Sequence, residues 1–237
     1  MEAYSILAKY YDQLMKDFDY SAYLEFIKGY VKGEGVDLAC GTGTMTIALS
    51  KLGAKVIGVD LSEEMLSQAR DKARQAFKNI IFIESNLKDF KPPHKVDFVT
   101  CVCDGFNYLY KVSLKESIDK VSSYLKSGGY FIFDVSSKYK LENVLGNNTF
   151  CEDTKGATYI WSNELKEDHV DMQISFFEKA KGDLYKRVDE YQKQYLYDKK
   201  DIFTMLDENF EYNVFDGTTF KELKDDSLRY LFIARRK

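Results

Sequence analysis

The chain has 237 residues, 45% of them apolar and 15% aromatic, enough to close one full hydrophobic core with or without a sizeable insertion. Thirty-four Lys and Arg against 38 Asp and Glu leave a net charge of −4, a balance that gives no steering toward phosphate backbones or anionic membranes. No apolar run approaches the ~20 residues of a membrane helix and the N-terminus lacks the apolar centre of a secretory signal, so a cytoplasmic protein is expected.

Two Tyr-rich helical stretches, at about 4–16 and 21–32, come first. Then short apolar runs alternate with segments of helical period, the pattern of parallel strands joined by crossover helices. The runs are VDLAC (36–40), KVIGVD (55–60), IIFIE (80–84), DFVTCVC (97–103) and GYFIFDV (129–135). Each stays apolar with little alternation, as strands buried on both faces do. Leu66, Ala69, Ala73 and Phe77 follow Ser62, a good N-cap, with Glu63 and Glu64 at the positive helix start. Leu114, Ile118, Val121 and Leu125 repeat the period after Ser113. Five β-α units in this order predict an α/β fold with a doubly wound, Rossmann-like, mostly parallel sheet.

From 137 to 197 the period changes to two: Val170, Met172, Ile174 and Phe176 alternate with Asp171, Gln173 and Ser175. Turn residues in LKED (165–168) and AKGD (180–183) predict a three-stranded antiparallel meander, with 157–165 first and 184–196 last. Residues 201–208 read as a helix, and 211–216 with 228–235 as a strand pair that completes a seven-stranded main sheet. The expected organisation is therefore 1–136 plus 198–237 as one sheet-bearing unit and 137–197 as a small antiparallel insertion. Arg235, Arg236 and Lys237 read as a solvated basic end. The four cysteines, Cys40, Cys101, Cys103 and Cys151, follow no disulfide or zinc spacing, and His94 and His169 read as surface residues, so no metal site is expected.

The first β-α turn, residues 40–43, lies where an open α/β sheet binds ligands. Gly41 and Gly43 let a ligand approach the main chain and let the chain take angles closed to other residues. Asp60 ends the second run, where the dinucleotide fold places a carboxylate on ribose hydroxyls, so a nucleoside is expected. A pyrophosphate binder prefers Gly or Ala three positions after the second loop glycine, and Thr46 stands there. No Lys-Ser or Lys-Thr pair follows the loop either. Acids stand near it instead, Asp37, Asp60 and Asp104, and an acidic rim suits a cationic ligand.

At these residues the sequence resembles the class I S-adenosylmethionine-dependent methyltransferases. VDLACGTGT, VIGVDLSEEML, IESNLKDF, VDFVTCVCDGFNYL and LKSGGYFIFDV look like five successive motifs of that family, correctly spaced over residues 36–136. The resemblance implies S-adenosylmethionine as cofactor. It places Gly41 and Gly43 at the methionine part, with Ala39, Cys40 and Thr42 in the same loop, and Asp37 orienting the amino group. Asp60 would hold the ribose, Leu61 and Met65 would pack on the adenine, Asn86 and Leu87 would meet its edge, and Cys103 and Asp104 would lie near the methionine group. Two positions depart from the pattern: Ala39 replaces a frequent glycine, a mild change in volume, and Asn86 stands where Asp is usual, leaving an amide oxygen to accept from the adenine amino group. AKYYDQLM (8–15) resembles a segment that folds over the cofactor in small-molecule members, with Tyr11 at the mouth. The 137–197 insertion resembles their substrate-covering antiparallel region.

Methyl transfer from a sulfonium is an in-line displacement, so alignment and exclusion of water can supply much of the catalysis. Tyr11, Asp104 and Tyr108 are candidate bases by position and Glu190 is a further one; ordinary cofactor-contact, core or wet-face roles stand beside each. The expected reaction is methylation at N or O of a small molecule. CDGFNY (103–108) is not the Asn-Pro-Pro-aromatic signature of base methylation, and no basic stripe offers a nucleic-acid path. A nicotinamide-dependent oxidoreductase and a non-catalytic adenosylmethionine-binding module are the alternatives.

Overall fold

The computed structural model describes residues 5–237, with side chains from Ile6 onward. Helices α1 (Ser5–Leu14) and α2 (Tyr20–Ile27) open it; residue 4, where the first predicted helix starts, lies outside the described residues. The alternating part runs β1 (Glu34–Leu38), α3 (Thr44–Lys51), β2 (Lys55–Asp60), α4 (Glu63–Gln75), β3 (Ile81–Glu84), β4 (Val96–Cys101), α5 (Lys111–Tyr124) and β5 (Leu125–Ser136). Ser62 caps α4 by accepting from the Met65 N–H at 3.2 Å, with Glu63 and Glu64 in the first turn.

Several elements differ from the periodic reading. No helix joins β3 to β4, because this connection contains Pro92 and Pro93, which cannot donate to a helical ladder. Phe77 follows the end of α4 at φ +53°, which swings it off the apolar face and leaves it 96% exposed. Ser113 lies inside α5, and Leu125 already opens β5.

The main sheet has seven strands in the order β10-β11-β5-β4-β1-β2-β3, closed by β10 (Phe210–Asp216) and β11 (Arg229–Arg236) after helix α6 (Lys199–Leu206). Strand β1 pairs in parallel with both β2 and β4, so strand order reverses there and a crevice opens at the carboxyl ends of β1 and β4. Strand β11 runs against the others, pairing antiparallel with both β5 and β10. Arg235 and Arg236 belong to β11, where the Arg236 guanidinium donates to the carbonyls of Ser122 and Asn209 at 3.2 and 2.9 Å. They do not form the loose basic end expected from the sequence.

Successive residues of a buried strand serve opposite layers. On one face α5 and α6 pack Ile118, Val121 and Leu206 against Phe131, Phe133 and Phe232; on the other, α2 and α3 pack Ile27, Met45 and Leu49 against Phe98, Ile132 and Leu231.

A second, antiparallel sheet has four strands, β6 (Thr149–Thr154), β7 (Ala157–Leu165), β8 (His169–Lys179) and β9 (Tyr185–Tyr195). The additional strand, β6, is short, polar and at the sheet edge, and shows too little apolar alternation to be read from sequence. Helix α1 bridges the two sheets: Ile6, Leu7 and Tyr10 pack with Met65 of α4 and with Tyr159 and Phe176 of the second sheet. No helix among the described residues is long and apolar enough to cross a membrane.

Candidate active site

The backbone at the carboxyl edge of the main sheet is wound into conformations that side chains usually avoid. Ala39, just after β1, has φ +49°, and Cys103 and Asp104, after β4, have φ +63° and +64°. Each such non-glycine residue costs of order 1–2 kcal/mol unless the surroundings fix it. At Cys103 and Asp104 they do. Both N–H groups donate to the buried Asp134 of β5, at 3.1 and 2.9 Å, and the Tyr23 hydroxyl adds a third bond at 2.9 Å.

Asp134 belongs to a buried ionic cluster. The Arg229 guanidinium contacts it directly and reaches Asp104 Oδ2 at 3.1 Å, while Lys140 Nζ stands 3.4 Å from the same oxygen. Burial works to raise the Asp104 carboxyl, but Arg229 and Lys140 outweigh it and hold the group below its ordinary value. Asp134 is moved upward, by burial first, against the lowering charge of Arg229.

The glycine turn divides its labour. Gly41 has φ +53°, and a Cβ there would meet only the Tyr11 ring, at 3.7 Å, so its open side faces the crevice. Gly43 has φ +74°, and a Cβ there would strike Ala69 at 2.9 Å and the Phe82 ring at 3.1 Å. Its lack of a side chain serves the packing of the turn against α4 and β3. The Gly41 N–H donates to Asp60 Oδ2 at 2.8 Å, and Ser62 N–H to Oδ1 at 3.0 Å, which aims this carboxylate along the crevice. Burial raises its pKa against those bonds.

Two neighbouring spaces result, sharing Tyr11, Ala39 and Cys103 in their walls. The larger, about 300 Å³, brings together Tyr11, Ala39, Gly41, Asp60, Leu61, Met65, Asn86, Leu87, Cys103 and Tyr108 from five separate segments. The smaller recess, about 20 Å³, is lined by Asp37, Cys40 and Thr42, again with Tyr11, Ala39 and Cys103. Gly43 and Asp104 line neither. Asn86 stands at the edge of the large cavity, but its Oδ1 already accepts from the Lys88 N–H at 3.0 Å. Met65 is buried and Leu61 is 62% exposed, so they wall the cavity from its deep and open sides.

Asp37 is the acid of the recess. It is 1% exposed, and its two oxygens accept from the hydroxyls of Thr46 and Thr100, both at 2.6 Å. Burial pushes its carboxyl up to about 6, even against those bonds. Thr46 therefore does more than interrupt a dinucleotide pattern, since its hydroxyl fixes the acid. Thr100, Asp134, Arg229 and Lys140 are supporting residues that the sequence reading did not single out. They lie on distant segments and carry no local signature.

Glu190 also departs from the expected wet-face charge. It is 5% exposed, and its Oε1 accepts from the backbone N–H groups of Ile6 and Leu7, at 3.1 and 3.3 Å, at the start of α1. The C-terminal half of α1 is tied to the glycine turn, where Asp12 accepts from Thr42 Oγ1 at 2.6 Å and from Lys72 Nζ at 2.7 Å. Tyr11 is thereby held at the mouth of both spaces.

Residues 36–129 match the family model described as methyltransferase domain. A protein of Geobacillus sp. (strain WCH70), described as a putative methyltransferase, is 33% identical over 205 residues, which cover 82% of this chain and 83% of that one. The chain belongs to the methyltransferases. An S-adenosylmethionine-dependent methyltransferase from Clostridium acetobutylicum is similar over 98% of both chains, at 34% identity and a TM-score of 0.87. The S-adenosylmethionine-bound amino pentose methyltransferase CalS10 from Micromonospora echinaspora has the same fold, with a TM-score of 0.73 over 95% and 94% of the two chains at 14% identity.

The protein is accordingly an S-adenosylmethionine-dependent methyltransferase of class I, and neither the nicotinamide-dependent nor the non-catalytic alternative is favoured. The residues fit that cofactor. A carboxylate at the end of β2, an apolar slot beside it and a second acid in the deep recess complement a ribose, a base and a cationic amino acid part.

Proposed function

We propose that this methyltransferase methylates a nitrogen or oxygen atom of a small molecule admitted between the carboxyl edge of the main sheet and the antiparallel sheet. The observation that carries the reading is the position of the 300 Å³ cavity. Tyr11 of α1 forms part of its wall, and so does Tyr108, which hydrogen-bonds Gln194 of β9. An acceptor beside the donor at the Tyr108 end of this cavity would lie next to β9 of the antiparallel sheet. In this reading the 137–197 segment covers the acceptor, while 1–136 with 198–237 holds the donor. The small-molecule acceptor is supported by the shared fold of an amino pentose methyltransferase, and the free thiols of Cys40, Cys101, Cys103 and Cys151 suit the cytoplasm.

Asp60 would hold the ribose, Leu61 and Met65 the adenine face, and Asn86 and Leu87 its edge. Gly41 would admit the methionine part, with Ala39, Cys40, Thr42 and Cys103 around it and Asp37 holding its amino group. Gly43 and Asp104 act from behind, one through packing and the other through the ion cluster. The bound donor supplies an activated methyl group whose transfer leaves a neutral thioether. The chain's own contribution is to align the acceptor and keep the site dry. Burial raises the Tyr11 phenol and pushes that of Tyr108 up to about 12, so both stay protonated at neutral pH and serve as hydrogen-bonding groups. Asp104 is committed to Arg229 and Lys140, so no residue is assigned as general base.

The test is incubation of the purified protein with methyl-labelled S-adenosylmethionine and a fractionated cell extract. Label in the small-molecule fraction is expected; label confined to protein or nucleic acid refutes the acceptor class.

A further inference from the structure

The face of the antiparallel sheet turned toward α1 and the main sheet carries an unusual row of polar groups. Register places Trp161, Ile174 and Glu190 side by side on this face, then Asn163, Met172 and Gln192, then Leu165, Val170 and Gln194. Glu190, Gln192 and Gln194 are 5%, 9% and 6% exposed. Among the described residues, Gln194 Oε1, Trp161 Nε1 and both amide atoms of Asn163 are buried without a hydrogen-bond partner, and Glu190 Oε2 and Gln192 Nε2 have only each other to face. Most buried polar atoms are paired, and leaving one unpaired costs about 1–3 kcal/mol. Four together, beside that acid–amide pair, need a reason beyond folding.

The row meets the catalytic crevice at Gln194, which hydrogen-bonds Tyr108 in the wall of the donor cavity. Its chemistry is mixed. Trp161 Nε1, Gln192 Nε2 and Asn163 Nδ2 can donate; Glu190 Oε2, Gln194 Oε1 and Asn163 Oδ1 can accept. Hydroxyl groups do both and satisfy such a set. Among the described residues, the cation on this face of β7, β8 and β9 is Lys186, two register positions beyond Glu190 and opposite Glu178; Glu190, Gln192 and Gln194 have no basic neighbour across the register, and Glu190 is an acid, so a phosphate or carboxylate would meet a like charge there. Met172 and Ile174 run between the polar residues, clustered with Leu141 and Leu145 at one end of the row and with Ile6 and Leu7 at the other.

We infer that this row is the acceptor subsite, and that the methyl acceptor is a hydroxyl-rich, non-anionic ring of the sugar type. Glu190, Gln192, Gln194, Asn163 and Trp161 supply its hydrogen bonds. The inference rests on the small-molecule reading above and narrows it to one chemical class.

Ligand-observed saturation-transfer NMR, with S-adenosylhomocysteine present, tests it using D-glucose, D-glucosamine and myo-inositol against glucose 6-phosphate and indole. The hydroxyl-rich, uncharged or cationic probes are expected to bind the unaltered protein, with at least tenfold weaker binding to Gln192→Met/Gln194→Met. Preference for the phosphorylated or apolar probe, no binding of the three expected probes, or equal binding by the double variant overturns the inference. The single variant Asn163→Leu, which removes an amide with neither atom paired, melted without ligand, gives a second arm. Loss of an unpaired amide should leave Tm at or above that of the parent, by up to about 4 °C; a lower Tm means that the amide serves the fold and overturns the assignment. The S-adenosylhomocysteine-induced thermal shift separates the two levels: its absence in the unaltered protein refutes the donor site itself, whereas its retention in the variants confines the effect to the acceptor row.

Discussion

Replacing Asp37 with Asn should stabilise the ligand-free protein while weakening its hold on the donor. Asp37 is 1% exposed, with its carboxyl raised from 3.8 to about 6 by burial. At ~1.4 kcal/mol per pH unit, keeping it ionised in the fold at pH 7 costs about 3 kcal/mol. The folded state binds the proton more tightly than the unfolded chain, so this contribution favours the fold most below pH 3.8 and is lost as pH rises through about 6. Asn is nearly isosteric, can still meet the hydroxyls of Thr46 and Thr100, and does not titrate. Denaturant unfolding at a series of pH values should therefore show similar stabilities near pH 4 and a variant more stable by about 3 kcal/mol above pH 7, equivalent to ~6–12 °C in Tm. Calorimetry at pH 7.5 should show at least a tenfold loss of S-adenosylmethionine affinity, because the acid proposed to hold its amino group is gone. A stability difference independent of pH, or unchanged donor affinity, would refute the reasoning.

The two turn glycines should respond differently. Gly43→Ala meets Ala69 and Phe82 as well as an unfavourable φ, and is expected to lose about 2–4 kcal/mol in equilibrium unfolding; Gly41→Ala loses about 1 kcal/mol but narrows the crevice and weakens donor binding by calorimetry. Ala39→Gly relieves a residue at φ +49° and should gain about 0.5–1 kcal/mol in the same unfolding assay after the added chain entropy is counted. Asp60→Ala removes the carboxylate held by the Gly41 and Ser62 N–H groups, and donor affinity should fall at least tenfold.

The main sheet was legible because strands buried on both faces must be apolar throughout, and helices such as α4 announce themselves through Ser62, Glu63 and Glu64. Errors arose where the local pattern was weak or misleading. Strand β6 has little apolar alternation, Phe77 fits the helical period but lies beyond the helix end, and the β3–β4 connection has no helix because Pro92 and Pro93 forbid one. At Ala39 the sequence reading weighed only volume, whereas the structure shows a left-handed backbone, which is a conformational matter.

Local sequence alone determined the glycine turn, the acid after β2 and the order of strands and helices, since these follow from residue type and spacing within a few positions. Which acids remain available was decided by the tertiary structure. Asp37, Asp60 and Asp104 look alike in sequence, yet one is fixed by two threonines, one by backbone N–H groups along the crevice, and one by an arginine from the last strand. The environment of a charge is set by side chains brought from distant parts of the chain, and spacing along the sequence carries no record of that distance.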